Sequence, residues 1–78
     1  MLVKNLPQGR INMNLDKYLF KNVRLTFSDG QILVGYIDDV TEAYDNENNE
    51  QSMTIIPAEG SLKGRPVEVF KSEIETVS

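Results

Sequence analysis

The sequence predicts a mainly β fold, in which a short N-terminal helix precedes a five-stranded, strongly bent antiparallel sheet that forms a small barrel. Three observations support this prediction: apolar and polar residues alternate in short segments, turn residues separate these segments, and no second layer of helices is evident. Bent strands without a covering helix layer are typical of small barrels. We expect one barrel domain over residues 14–78, preceded by an N-terminal arm of residues 1–13.

The arm has an irregular pattern, because Pro7 and Gly9 interrupt it and its large apolar residues are few. Two interpretations stay open: a partly ordered tail, or an arm that packs on a neighbouring subunit. Met13 is also a possible alternative start, which would make the arm dispensable.

Residues 14–21, NLDKYLFK, predict a helix of about two turns. Asn14 is a favourable N-cap, and Asp16 and Lys21 suit the two ends of the helix dipole. Leu15, Tyr18 and Leu19 have the spacing of one apolar face. A helix this short is unstable alone, so we expect it to dock on the barrel.

Residues 23–40, VRLTFSDGQILVGYIDDV, predict two strands joined by a tight turn. Asp29-Gly30 is typical of a type I′ hairpin turn, which needs positive φ at both central residues. The second strand, from Gln31 to Val40, is apolar on both faces, as expected for a central strand or one that bends between two walls. Gly35 in its middle indicates a sharp bend or a close backbone approach.

Three shorter strands are predicted after a polar, acidic connection from Thr41 to Ser52. They cover Met53–Ile56, Val67–Phe70 and Ile74–Val77, and the turn between the first two contains Gly60 and Gly64. We expect most of the aromatic residues to lie in the core, with Tyr44 in the acidic connection as the exception. The aromatic residues are Tyr18, Phe20, Phe27, Tyr36, Tyr44 and Phe70.

The composition argues against an enzyme. The chain has no His and no Cys, so it lacks the commonest general base, the commonest metal ligand and any disulfide. The formal net charge of -4 argues mildly against phosphate binding. Without an apolar run of membrane-spanning length or a secretory signal pattern, we expect a cytoplasmic protein that has no cofactor and contacts no membrane.

The order of one helix and five strands, with glycines at positions 30 and 35, resembles the Sm/Lsm family. The resemblance is to a divergent member of bacterial or phage type. The first family motif has a turn glycine between two strands and a second glycine that bends strand two. The second family motif forms strands four and five, and the segment VFKSEIETV, residues 69–77, lies at its place in this chain. The resemblance covers residues 14–78 and implies a small SH3-like (Sm-like) barrel. The residues at the places of the first motif are Val23, Leu25, Phe27, Gly30, Gly35, Ile37 and Val40.

The same resemblance implies single-stranded RNA as a partner, but the chain departs from the family's base pocket. Where family members carry an Asp, a stacking residue and an Asn, this chain has Thr41, Ala43 and Asp45. Ala43 has no ring for stacking, and Asp45 repels phosphate. The family's Arg-Gly is replaced by Phe70 and Lys71. The candidate nucleic-acid-binding residues are Thr41, Tyr44, Asp45, Arg65 and Lys71.

The resemblance further implies a homo-oligomeric ring, in which strand four of one subunit pairs with strand five of the next. The edge strands of this chain carry more apolar residues than two solvent-facing strands need, although about half of them are expected to fill the core. Ring closure would also cover the exposed strand edges. The candidate interface residues are Val67, Val69, Phe70, Ile74 and Val77.

Three functions follow in order of preference: a non-enzymatic binding or assembly module in a ring, a single-stranded RNA-binding ring with a degenerate base pocket, and a small hydrolase that uses carboxylates. A protein partner is also possible for the assembly module.

The adjacent Asp38 and Asp39 point to opposite faces of a strand and do not form a catalytic pair. The segment DNENNE at 45–50 fails the calcium-loop pattern, so we predict no metal site, and weak, non-specific cation binding stays open as the alternative because oxygen ligands are dense here. GSLKGR at 60–65 lacks the order of a phosphate-binding loop and predicts a turn.

Overall fold

The computed structural model describes residues 14–78; the predicted arm, residues 1–13, lies outside the described residues. All five predicted strands are present. They are β1 (Asn22–Phe27), β2 (Ile32–Thr41), β3 (Ser52–Pro57), β4 (Val67–Phe70) and β5 (Ile74–Val77). The remaining regular elements are 3₁₀ turns at Leu15–Tyr18, Ala43–Asp45 and Lys71–Glu73.

The strands form one antiparallel sheet in the order β4-β3-β2-β1-β5, and the sheet is not closed. The two outer strands, β4 and β5, are separated in sequence by only the turn Lys71–Glu73. That link spans at most about 14 Å, whereas the outer strands of a flat five-stranded sheet would lie about 19 Å apart. The sheet therefore curls, so that its two outer strands approach each other without pairing.

Two irregularities in β2 allow this curvature. Gly35 packs against the backbone of β3, because a Cβ added there would lie 2.8 Å from the Cα of Pro57. Three residues further on, the pairing of β2 with β3 shifts between Ile37 and Asp39, as at a β-bulge. The close backbone approach predicted at Gly35 is confirmed.

The N-terminal segment is shorter than the predicted two-turn helix. Only Leu15–Tyr18 is helical, as one 3₁₀ turn, and Asn14 caps it by accepting a hydrogen bond from the Asp16 N–H at 2.8 Å. Phe20 then adopts a left-handed φ of 64°, and its N–H donates to the Ile37 carbonyl at 2.8 Å. The helix cannot continue, because pairing with β2 begins at this point.

The first hairpin turn also differs from its prediction. Asp29 has no positive φ, whereas Gly30 has a φ of 92°. The Phe27 carbonyl accepts from the Gly30 N–H, and the Phe27 N–H donates to the Gln31 carbonyl. The connection is therefore a three-residue loop over 28–30 with glycine in the left-handed position, and the type I′ assignment is wrong.

The core is aliphatic, and the prediction that most aromatic residues lie in it is wrong. Phe20, Tyr36 and Tyr44 are exposed, while Tyr18 and Phe27 pack only against the edge of the core. Leu, Val, Ile and Met side chains fill the interior between the curled strands. The buried cluster consists of Leu15, Val23, Leu25, Ile37, Met53, Ile55, Val69 and Ile74.

Within residues 14–78, the structure contains no helix with the length and apolar character needed to cross a membrane.

Candidate functional site

Four of the five candidate nucleic-acid-binding residues lie at one end of the sheet. Thr41 at the end of β2 pairs with Ser52 of β3, and Ser52 pairs with Phe70 of β4. The Lys71 N–H donates to the Gln51 carbonyl at 2.9 Å. The polar connection between β2 and β3, residues 42–51, therefore meets the β4–β5 turn here, and Tyr44 and Asp45 lie in its 3₁₀ turn.

Arg65, the fifth candidate, lies at the other end of β3. The Gly64 N–H donates to the carbonyl of Pro57, the last residue of β3. Positive φ values at Gly60 and Gly64 shape the connection, which is a turn as predicted. Arg65 does not join the other four residues.

Gln51 joins three parts of the chain at this end of the sheet. Its side chain is 8% exposed, and its Oε1 accepts from the Leu15 N–H at 2.8 Å. Its Nε2 donates to Asn14 Oδ1 at 2.8 Å and to Glu42 Oε1 at 3.2 Å. The sequence gives no signal for this role, because the partners lie up to 37 positions away.

Glu50 holds the connection onto the β4–β5 turn. Its Oε1 accepts from the Ser72 N–H at 2.8 Å, and its backbone carbonyl accepts from Asn46 Nδ2 at 2.8 Å. Asn46 Nδ2 also donates to the Ser52 hydroxyl at 3.1 Å. The side chains of Asn46 and Glu50 thus hold this segment in place against β3 and the β4–β5 turn. The part of the chain that the structure describes contains no group of three or more potential His, Cys, Asp or Glu metal ligands.

The electrostatic environment at this end of the sheet is negative. A hydrogen bond with Asp16 raises the pKa of Glu42; desolvation and the charge of Asp16 raise it further. The hydrogen bond from Gln51 acts against this rise, and the charge of Asp45 adds to it. The sequence does not reveal that Asp16 lies next to Glu42. This carboxylate pair repels phosphate at the end of the sheet that holds Lys71.

Tyr44 is the most exposed aromatic residue of the site, with 81% of its surface accessible. Phe70 is half-buried and lines a shallow cavity of about 320 Å³ with Asn46, Glu47 and Asn48. The site therefore presents one exposed ring and one partly covered ring. Both rings are available for stacking or for an apolar contact.

The candidate interface residues divide into two groups. Val69 and Ile74 are buried in the chain's own core and cannot face a neighbouring subunit. Val67, Phe70 and Val77 are half-buried, on the outer strands β4 and β5. Only these three remain as candidates for a seam between subunits.

The two adjacent carboxylates on β2 do not form a site. Asp38 and Asp39 are both exposed, and the irregular pairing with β3 falls at this point. Asp38 has no β3 partner in the pairing register, because the register shifts between Ile37 and Asp39.

Comparisons of this chain with protein-family models, with curated proteins and with solved structures give no significant match.

Proposed function

We propose that this protein is a non-enzymatic Sm-like barrel that assembles into a homo-oligomeric ring and acts as a binding or assembly module. The observation that carries the proposal is the open, curled sheet. Among residues 14–78, β4 and β5 each pair on one side only. Unpaired strand edges tend to add further strands, and pairing β4 of one subunit with β5 of the next would cover both.

The backbone of β4 supports this pairing. Because the Lys71 N–H faces β3, the alternation of antiparallel hydrogen bonds turns the N–H groups of Val69 and Val67 to β3 as well. The N–H groups of Glu68 and Phe70 then face outward. Phe70 donates to Glu73 Oε1 at 2.8 Å, which leaves the Glu68 N–H to a neighbouring strand.

Glu68→Pro tests this pairing, because proline removes the outward N–H without removing a hydrogen bond to β3. We expect the variant to have a lower solution mass than the unmodified protein by light scattering. Glu68→Ala is the matched control: it removes the same side chain, including its bond from the Ser52 hydroxyl, but keeps the N–H. A folded Glu68→Pro protein of unchanged mass would count against this edge.

A second candidate function is binding of single-stranded RNA at the end of the sheet. It is favoured by the convergence of Thr41, Tyr44 and Lys71 and by the exposure of Tyr44. The neighbouring carboxylates of Asp16, Glu42 and Asp45 oppose it. We therefore rank it below the assembly module.

Lys71→Ala distinguishes the two functions in an RNA mobility-shift titration at several salt concentrations. If RNA binds here, affinity falls steeply with salt and Lys71→Ala weakens it by about three- to tenfold. Arg65→Ala removes the same charge at the other end of β3 and serves as the control. An assembly module shows no RNA shift at any salt concentration, whereas equal losses in the two variants would exclude the proposed RNA site.

A further inference from the structure

The face of the sheet that points away from the core carries a row of apolar side chains along β2. Side chains alternate between the two faces of a strand, and Ile37 of β2 is buried in the core. Ile32, Val34 and Tyr36 therefore lie on the opposite, outer face. Ile56 of β3 pairs with Tyr36 and widens the row. These four residues, Ile32, Val34, Tyr36 and Ile56, form what we call the outer row.

The outer row is accessible although its side chains are apolar. Ile32 and Tyr36 are 47% and 39% exposed, and Val34 and Ile56 are half-buried. Single exposed apolar side chains are common on protein surfaces, whereas a contiguous group marks an interaction surface. The row lies on the inner strands β2 and β3, so a contact through it does not compete with pairing at the outer edges of β4 and β5.

The outer row has a cation on one side and an anion on the other. Arg24 of β1 pairs with Val34 and is exposed. On the β3 side, the Ala58 N–H donates to the Val34 carbonyl at 2.9 Å, and the next residue is Glu59. Glu59 lines a cavity of about 350 Å³ together with Ile32 and Val34, and it alone is charged among the described residues that line this cavity.

A surface with this charge pattern is complementary to itself. If a two-fold axis runs along β2, the β1 side of one copy faces the β3 side of the other, so each Arg24 faces a Glu59. An axis that crosses β2 at Val34 would instead place Arg24 opposite Arg24 and Glu59 opposite Glu59. Since like charges across a contact are unfavourable, the charges select the axis along β2.

We propose that two copies of this chain pair face to face through the outer row, with their strands aligned as in a β-sandwich. Burial of the apolar side chains stabilises the contact, and the pairs between Arg24 and Glu59 at its rim fix its direction. The contact does not require the ring, because it uses a different surface of the sheet.

Cysteine crosslinking tests the contact, because the chain has no Cys of its own. Val34→Cys places one thiol beside the proposed axis, and two packed sheets lie about 10 Å apart. A short bismaleimide should therefore give a two-chain product on a denaturing gel. Position 34 is on the central strand of the sheet, so a ring that pairs only β4 with β5 does not bring two such thiols together.

Glu47→Cys is the control for this crosslink, since it places the thiol at an exposed position in the β2–β3 connection. It should give far less of the two-chain product than Val34→Cys does. Equal yields from the two variants, or no two-chain product from Val34→Cys, would overturn the proposal.

Charge reversal in the Val34→Cys background tests the direction of the contact. Arg24→Glu and Glu59→Arg should each lower the yield about fivefold, because two-fold symmetry makes two exposed pairs repulsive at once. The double variant exchanges the two charges and should restore the yield. Because the single variants change the net charge in opposite directions, a yield that follows net charge would contradict the proposal. A double variant with no recovery would also contradict it.

Discussion

At the scale of single residues, Gly35 has the most stringent requirement. A side chain at this position would meet the backbone of Ile56 and Pro57, which cannot move aside as a flexible side chain can. The absence of a Cβ therefore lets β2 and β3 pack closely where the sheet curls. Glycine in a strand interior is otherwise unfavourable, so the sequence itself signals this site.

We predict that Gly35→Ala destabilises the fold by about 1–3 kcal/mol, because the added methyl group forces β2 and β3 apart. Urea unfolding at matched chain concentration measures the change. Gly60→Asn is the control, since Gly60 has open space around it and Asn tolerates its positive φ of 83°. Equal stability of Gly35→Ala and the unmodified protein would show that the strands tolerate the methyl group.

Other residues have roles that the sequence does not reveal. Asp16 has the position of a favourable helix-dipole residue, yet in the fold it adjoins Glu42. Phe20 belongs to an apparently amphipathic helix, yet it adopts a left-handed conformation and is 63% exposed. Both outcomes depend on tertiary contacts: Asp16 contacts Glu42, and the Phe20 N–H bonds to the Ile37 carbonyl. Local sequence patterns do not encode such contacts.

At the scale of elements, the N-terminal 3₁₀ turn and the β2–β3 connection depend on each other. Gln51 bonds to the backbone of Leu15 and to the side chains of Asn14 and Glu42. A four-residue 3₁₀ turn is not stable alone. Its position is fixed by these bonds and by the burial of Leu15 in the core.

We predict that Glu42→Gln strengthens this junction at neutral pH. The pKa of Glu42 is raised above its ordinary value of 4.5, mainly by the hydrogen bond with Asp16, so the fold favours the protonated form. The stabilisation from this residue is fully present below 4.5 and is lost as the pH rises through the raised value. Gln keeps an oxygen for Gln51 and removes the charge beside Asp16 and Asp45.

The measurement is the unfolding midpoint of the variant and of the unmodified protein from pH 4 to pH 7. The variant should be the more stable protein at pH 7, and the difference should shrink towards pH 4. Glu47→Gln, which removes the same charge from an exposed position of the connection, should show no such trend. A difference that does not change with pH would refute the role assigned to the pair.

The strands were more predictable than the helix and the turn. Alternation over β1 and the apolar segments of β4 and β5 give the correct elements, because burial on one face imposes a period of two. The predicted helix shortens to one turn because β1 begins to pair with β2 directly after it. The hairpin loop contains Ser28 as well as Asp29 and Gly30, since the pairing of Phe27 with Gln31 fixes its length.

At the scale of the whole molecule, the curled sheet leaves two outer strands without partners among residues 14–78. The number and order of strands in the chain could be predicted, but the division of the outer-strand residues could not. Val69 and Ile74 lie in the core, whereas Val67, Phe70 and Val77 stay partly exposed. Alternation alone does not specify that division, because Val67 and Val69 lie on the same face of β4 and yet differ in burial.

Assembly through these edges is the central claim, and the solution mass of the full chain tests it most directly. Light scattering should give one discrete multiple of the chain mass, with an absorbance ratio that excludes bound nucleic acid. The same discrete mass with nucleic acid attached would favour the RNA-binding alternative. A clean monomer across the accessible concentration range would contradict the ring.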